Sequence, residues 1–223
     1  KYQNFNPVVT FDGANDYLRN TAGYWKDSTN NQQYNTFVVG TNRTSDTTNP
    51  HPVFFETTSQ GYQTLFLPYQ GSVSSGFWSS YLASTSNIGT VGTPYLWTAR
   101  YKHDATAANR VNSIARDGKV LTTNQSTIAF NGSNGQLEIG AYSGGWYYTG
   151  DIAEVLMYDR DLTTTERQHI ESYLALKWGV SLSQNTATNY VASDGTVIWD
   201  ATANVSYTND IAGIGVDALS ELN

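Results

Sequence analysis

Aromatic side chains in polar, turn-rich surroundings are the residues of this 223-residue chain whose types point most directly to chemistry. Tyr24 and Trp25, Trp78 and Tyr81, and Trp146 in the run Ser143-Gly144-Gly145-Trp146 stand where the pattern predicts loops rather than packed faces. An indole or phenol ring offers apolar area in a fixed orientation. That is what the apolar side of a pyranose ring needs, while Asn, Asp and Gln side chains meet its hydroxyls. Trp25, Trp78, Tyr81 and Trp146 are therefore the candidate glycan-binding residues. Trp97 and Trp178 fall on a strand face and a helix face and read as core, and Tyr147 and Tyr148 as core or rim.

Catalytic patterns are not found. A retaining glucanase built on a β-sandwich carries alternating acids, E-x-D-x-E, because period two sets every carboxylate on one face at the short separation a covalent mechanism uses. No strand-like segment here has that series. Asp151 and Glu154 are three apart, which on a regular strand points them to opposite faces; Asp159 and Asp161 alternate but sit in a turn; Glu56 and Glu138 are lone acids. His51, His103 and His169 form no H-x-x-x-H or H-E-x-x-H pair, and there is neither a G-x-S-x-G elbow nor a phosphate-cradling glycine loop. The chain is expected not to be an enzyme.

The elements that must position these residues read as short strands at even spacing, punctuated by Gly61, Gly71 and Gly76. Asp12-Gly13, Asp117-Gly118 and Asp194-Gly195 are turn signals; that at Asp117-Gly118 predicts a two-residue type I′ hairpin. The stretch from Thr149 to Val180 organises the rest. Asp151 to Tyr158 is apolar on both faces and predicts a buried strand. Thr163 followed by Glu166 is a capping-box pair and Gly179 a left-handed stop, so a helix is predicted from about Thr163 to Trp178. Its wet face should hold Arg167, Gln168 and Glu171, and Leu174 should plug the sandwich.

The segment GDIAEVLMYDRDLTTTERQHIESYLALKWGVSL resembles the closing segment of laminin G-like, concanavalin A-like jelly-roll domains of large secreted and cell-surface bacterial proteins. Val9 to Tyr17, VTFDGANDY, resembles their opening strand. The resemblance implies an all-β, concanavalin A-like (laminin G-like) jelly-roll β-sandwich with one C-terminal α-helix over residues 1–182. Residues 183–223 would then be a C-terminal extension. Val197 to Val216 should extend a sheet of the domain or dock on a neighbouring domain or subunit, because an unpaired strand seeks an edge. Related jelly rolls hold calcium through carboxylates and carbonyls, and Asp12, Asp16, Asp151 and Glu154 would be its ligands if the first and last strands are neighbours.

Composition narrows the partners. A net charge of −7 and only 14% charged residues exclude nucleic acid and anionic membrane as expected partners. Without cysteine there is no disulfide or thiolate metal site, and no stretch is apolar enough to cross a bilayer. Asn42, Asn124, Asn131 and Asn204 begin N-x-[ST] sequences, which arise by chance in so Asn- and Thr-rich a chain. The C-terminal apolar run reads as a cut from a longer protein. The expected function is that of a non-catalytic, lectin-like carbohydrate-binding or adhesion module of a large extracellular or cell-surface protein. It would bind glycan or another surface polymer. The alternative is a structural spacer or filament-forming subunit that meets neighbouring domains or copies of itself; a glycan-active enzyme is third.

Overall fold

A computed structural model describes residues 1–22, 32–44, 53–57, 61–69, 71–77, 80–86, 88–126, 129–130, 136–142, 145–211 and 217. The strands are β1 (Tyr2–Gln3), β2 (Asn6–Pro7), β3 (Val9–Asp12), β4 (Leu18–Asn20), β5 (Tyr34–Asn42), β6 (Val53–Thr57), β7 (Gly61–Tyr69) and β8 (Ser72–Phe77). They continue as β9 (Ser80–Ser84), β10 (Pro94–Lys102), β11 (Val111–Arg116), β12 (Lys119–Asn124), β13 (Leu137–Ile139) and β14 (Thr149–Tyr158). After the helix α1 (Thr164–Trp178) come β15 (Tyr190–Val191) and β16 (Val197–Trp199).

Two six-stranded antiparallel sheets make the sandwich. One runs β12-β11-β10-β5-β14-β3 and the other β4-β13-β6-β7-β8-β9. The chain crosses between them repeatedly, which gives a concanavalin A-like jelly roll. Asp12-Gly13 therefore closes no hairpin: β3 and β4 lie in different sheets. Asp117-Gly118 does, with φ of +52° and +75°, the two left-handed residues a type I′ turn needs.

The strand period of two divides β5 cleanly. Tyr34 and Val38 face the other sheet and pack with Trp97, Tyr101, Ile114, Leu65 and Val73. Phe37 and Val39 face the opposite way, into a second core with Leu96, Leu174, Ala175, Trp178, Tyr190 and Ile211. The molecule is thus three layers deep, and β5 and β14 are apolar on both faces because both are covered.

Leu174 does not plug the sandwich. The helix lies on the outer face of the first sheet, where Leu174 is in this second core. The expected wet face of α1 is partly covered by the extension, with Gln168 donating to the Asn189 carbonyl (3.0 Å) and the Val191 N–H donating to Ser172 Oγ (3.1 Å). Glu171 sits against Gly118 and accepts from the Thr98 hydroxyl (3.4 Å). The capping box is complete, with Thr163 and Glu166 bonding reciprocally, and Gly179 closes the helix at φ +64°. A feature without sequence signal caps its other end. The hairpin β1–β2 sends Gln3 Nε2 to the Trp178 carbonyl (2.8 Å), and Asn4 and Asn6 to that of Lys177 (2.9 and 3.1 Å), meeting acceptors that a helix end leaves open.

The strand β16 joins neither six-stranded sheet; it pairs with β15. Tyr190 and Trp199 stack edge to face, and the apolar side of this ribbon is used against the helix.

Candidate functional site

The loops at one end of the sandwich carry the candidate site. Gly150 pairs with Asn42, the Arg43 N–H donates to the Thr149 carbonyl (3.1 Å), and the Gly92 N–H to that of Asn42 (2.8 Å). These bonds gather the end of β5, the segment 88–93 and the loop 140–148. Within that loop Tyr142 and Gly145 exchange both backbone hydrogen bonds at 2.9 Å. Trp146 follows at φ +51°, a left-handed conformation that a bulky side chain adopts only where its surroundings impose it. Its ring stacks on Tyr142, centroids 5.0 Å apart and planes 23° apart, and 51% of the residue is exposed. A large aromatic face is thus braced by a second ring and open to solvent.

Two residues on, Tyr148 turns inward and is buried, and its hydroxyl donates to Asn42 Oδ1 (2.9 Å). Burial, with Asp151 adding to it, holds this phenol far above the ordinary value, so it keeps its proton. Beyond Asn42 opens a cleft of about 110 Å³ lined by Gly40, Thr44, Ile88, Thr90, Tyr95 and Trp97. Tyr95 forms its wall: its oxygen accepts from the Thr90 N–H (3.0 Å), and the Arg116 guanidinium lies 4.6 Å from its ring centre.

The other sequence candidates do not converge here. Trp25 and Trp78 lie outside the described residues, as do Tyr24 and His51. Tyr81 is partly exposed on the edge strand β9, whereas Trp146 follows β13; β6, β7 and β8 lie between, about 19 Å of sheet. Trp97 and Trp178 are buried, as expected of core. Glu138 is buried and bound by Arg19 (2.6 Å).

The four proposed metal ligands do not form one donor set. Asp12 accepts from the Ala14 N–H (2.7 Å), a turn-forming bond, and Asp16 accepts from the Asp12 N–H (3.4 Å). β3 and β14 are neighbours as expected, but Asp151 is already bound by Lys1 and Thr10, with Arg43 3.7 Å away. Asp151 and Glu154 face the same way after all, because a bulge between Ile152 and Glu154 adds a residue and reverses the alternation. Glu154 then meets the helix, accepting from Tyr173 (2.9 Å) and Trp178 Nε1 (2.6 Å) with Lys177 at 3.0 Å. Carboxylates so engaged do not fit a calcium ion. Among the described residues no three His, Cys, Asp or Glu side chains gather as a metal site.

With that geometry in view, comparison with known proteins adds the following. Residues 166–223 match a family described as a domain of unknown function (DUF8202), so the match begins inside α1 and runs through the extension. Among curated proteins none matches the chain. A heptameric SAP-like pentraxin from Limulus polyphemus superposes with a TM-score of 0.53 at 12% identity, over 74% of this chain and 81% of the pentraxin. Trypanosoma rangeli sialidase in complex with the inhibitor DANA gives 0.52 at 13%, over 80% of this chain. NanB with Optactamide gives 0.52 at 9%, over 74%. The chain spans only 28% and 27% of those two proteins. At such identities the likeness concerns the fold, a lectin-like jelly roll.

Asn42, Tyr95 and Tyr142 had escaped the sequence reading. Tyr142 is the aromatic on the far side of the Gly-Gly pair from Trp146, a spacing that could have marked it. The sequence marks Asn42 only as the start of an N-x-[ST] triplet and gives no sign of this role.

Proposed function

We propose that this chain is a non-catalytic, lectin-like carbohydrate-binding module, laminin G-like in kind, of a large extracellular or cell-surface protein. The observation that carries the reading is Trp146, an exposed ring kept in a costly backbone conformation and braced by Tyr142. Strain of this sort is maintained where a side chain must be presented, and a rigid aromatic face is the chief requirement for stacking a sugar. In the mainly apolar cleft beyond Asn42, the side chains of Asn42, Thr44, Thr90 and Thr93 supply hydrogen-bonding groups. The lectin-like fold supports the reading without naming a ligand. Glycan is the proposed partner, and the acids that a hydrolase would need are engaged in structural bonds at Asp151, Glu154 and Glu138.

A glycan array probed with the chain and with Trp146→Ala tests this directly. Binding that disappears in the variant is the expected result; an array on which neither protein binds ends the proposal. A second reading, a spacer or self-associating subunit, is favoured by Phe5, Tyr2 and Tyr207, which are 95%, 73% and 75% exposed. Sedimentation showing concentration-dependent assembly, reduced by Phe5→Ser, would favour it.

A further inference from the structure

We propose that the cleft beyond Asn42 is a subsite for the acetamido group of an N-acetylated sugar, with Asn42 as the residue that reads it and Tyr148 as the residue that positions Asn42. The inference rests on the glycan-binding reading and specifies its ligand. A buried phenol that retains its proton must donate it, and here the acceptor is the side-chain oxygen of Asn42. That bond settles which way the amide is turned. Its Nδ2 is left as a fixed donor, and no hydrogen bond among the described residues uses it.

Around this donor the lining is divided. Ile88, Tyr95 and Trp97 give an apolar wall, and Thr90 and Thr93 stand at the rim. A group that suits such a cleft has an acceptor oxygen next to a small apolar end, which describes an acetamido carbonyl and its methyl. Size agrees. A cavity of about 150 Å³ admits a benzene ring, so one of about 110 Å³ takes a substituent of a few heavy atoms and leaves the pyranose ring outside. The loop that carries Trp146 leads within two residues to Tyr148, whose hydroxyl holds Asn42 in the lining of the cleft. A hydroxyl alone would satisfy Nδ2 but leave the apolar wall unfilled.

Saturation-transfer NMR with N-acetylglucosamine and with glucose as probes tests the assignment on the intact chain. The strongest transfer is expected at the acetamido methyl, with affinity at least about tenfold above that for glucose, the worth of one hydrogen bond plus a buried methyl. Asn42→Ala should abolish that preference, and Tyr148→Phe should reduce it while leaving the circular dichroism of the fold in place. Trp146→Ala should weaken both sugars alike. Equal binding of the two probes, or an unchanged preference in Asn42→Ala, overturns the subsite even if array binding still depends on Trp146. Loss of all sugar binding in the native chain removes the glycan reading itself, and the subsite with it.

Discussion

Trp146 holds a backbone angle that costs an ordinary residue about 1–2 kcal/mol, and its stacking on Tyr142 returns about 0.5–1.5 kcal/mol. The two are of similar size, so the stack roughly offsets the strain. Trp146→Gly should leave the melting temperature within about 3 °C of the native value, whereas Trp146→Ala keeps the strain, loses the stack and should melt lower. Calorimetry of the two variants checks the order, and Ala melting above Gly would contradict it. Among the acids, Asp151 and Glu154 have their lone pairs met by protein donors. The melting temperature is accordingly expected to be the same in excess chelator as in millimolar calcium, since only a ligand bound by the folded state shifts it. A fall of several degrees on chelation would place an ion elsewhere in the fold.

At the scale of the element, α1 shows how local and tertiary terms differ in size. Its cap is a local matter of one hydroxyl and one amide, so Thr163→Ala should cost about 1 kcal/mol. Leu174 is buried between the sheet and the extension, and Leu174→Ala should cost about 2–5 kcal/mol by loss of apolar burial and the cavity left behind. Urea denaturation of the two variants compares them directly; equal small losses would mean the helix is loosely attached. The start and stop of this helix were legible because caps depend on residues adjacent in sequence. Its surroundings were not. Arg167, Gln168 and Glu171 look like a solvated stripe, but residues beyond 180 reach Gln168 through Asn189 and stand beside Glu171 through Leu182, so the stripe is only partly wet.

Over the whole molecule, that partial cover buries two carboxyls at the seam between sheet, helix and extension. Burial raises Asp117 from 3.8 to about 7, although the Leu96 N–H and Arg116 pull it down. Burial likewise raises Glu171 from 4.5 to about 7, opposed by Arg167 and Thr98 and reinforced by Asp117. The Ser183 N–H donates to the Asp117 carbonyl (2.8 Å), tying the extension to the same point. Between about pH 4 and 7 the folded protein therefore keeps protons that the unfolded chain releases, and stability falls as pH rises through that window. The opposite trend comes from Glu166, held near 2 by Arg160 and Thr163, whose contribution is lost only as pH drops below the ordinary glutamate value. The melting temperature should therefore be higher near about pH 5 than above pH 8, by several degrees, and Glu171→Gln should flatten the slope. A profile that rises from pH 5 to 8 would show that the seam is hydrated rather than closed.

What the sequence determined by itself is whatever depends on near neighbours along the chain. That includes the strand periods, the type I′ turn at Asp117-Gly118, the capping box at Thr163, the stop at Gly179 and the all-β class that their succession implies. It also named Trp146 among its candidates, because that tryptophan follows two glycines in a loop-like run. Only the tertiary structure decided which aromatics meet, since Trp146 and Tyr81 look alike as loop candidates but are separated by the strands β6, β7 and β8 of one sheet. The bulge at Ile152–Glu154 reversed the face of an acid, a one-residue change that no period-two reading can detect. Asn42 became a candidate only when Tyr148, 106 positions away, took its oxygen. Contacts of that separation are set by which strands pair and which layers cover them, and those are settled by the burial of the whole apolar surface rather than by any local pattern.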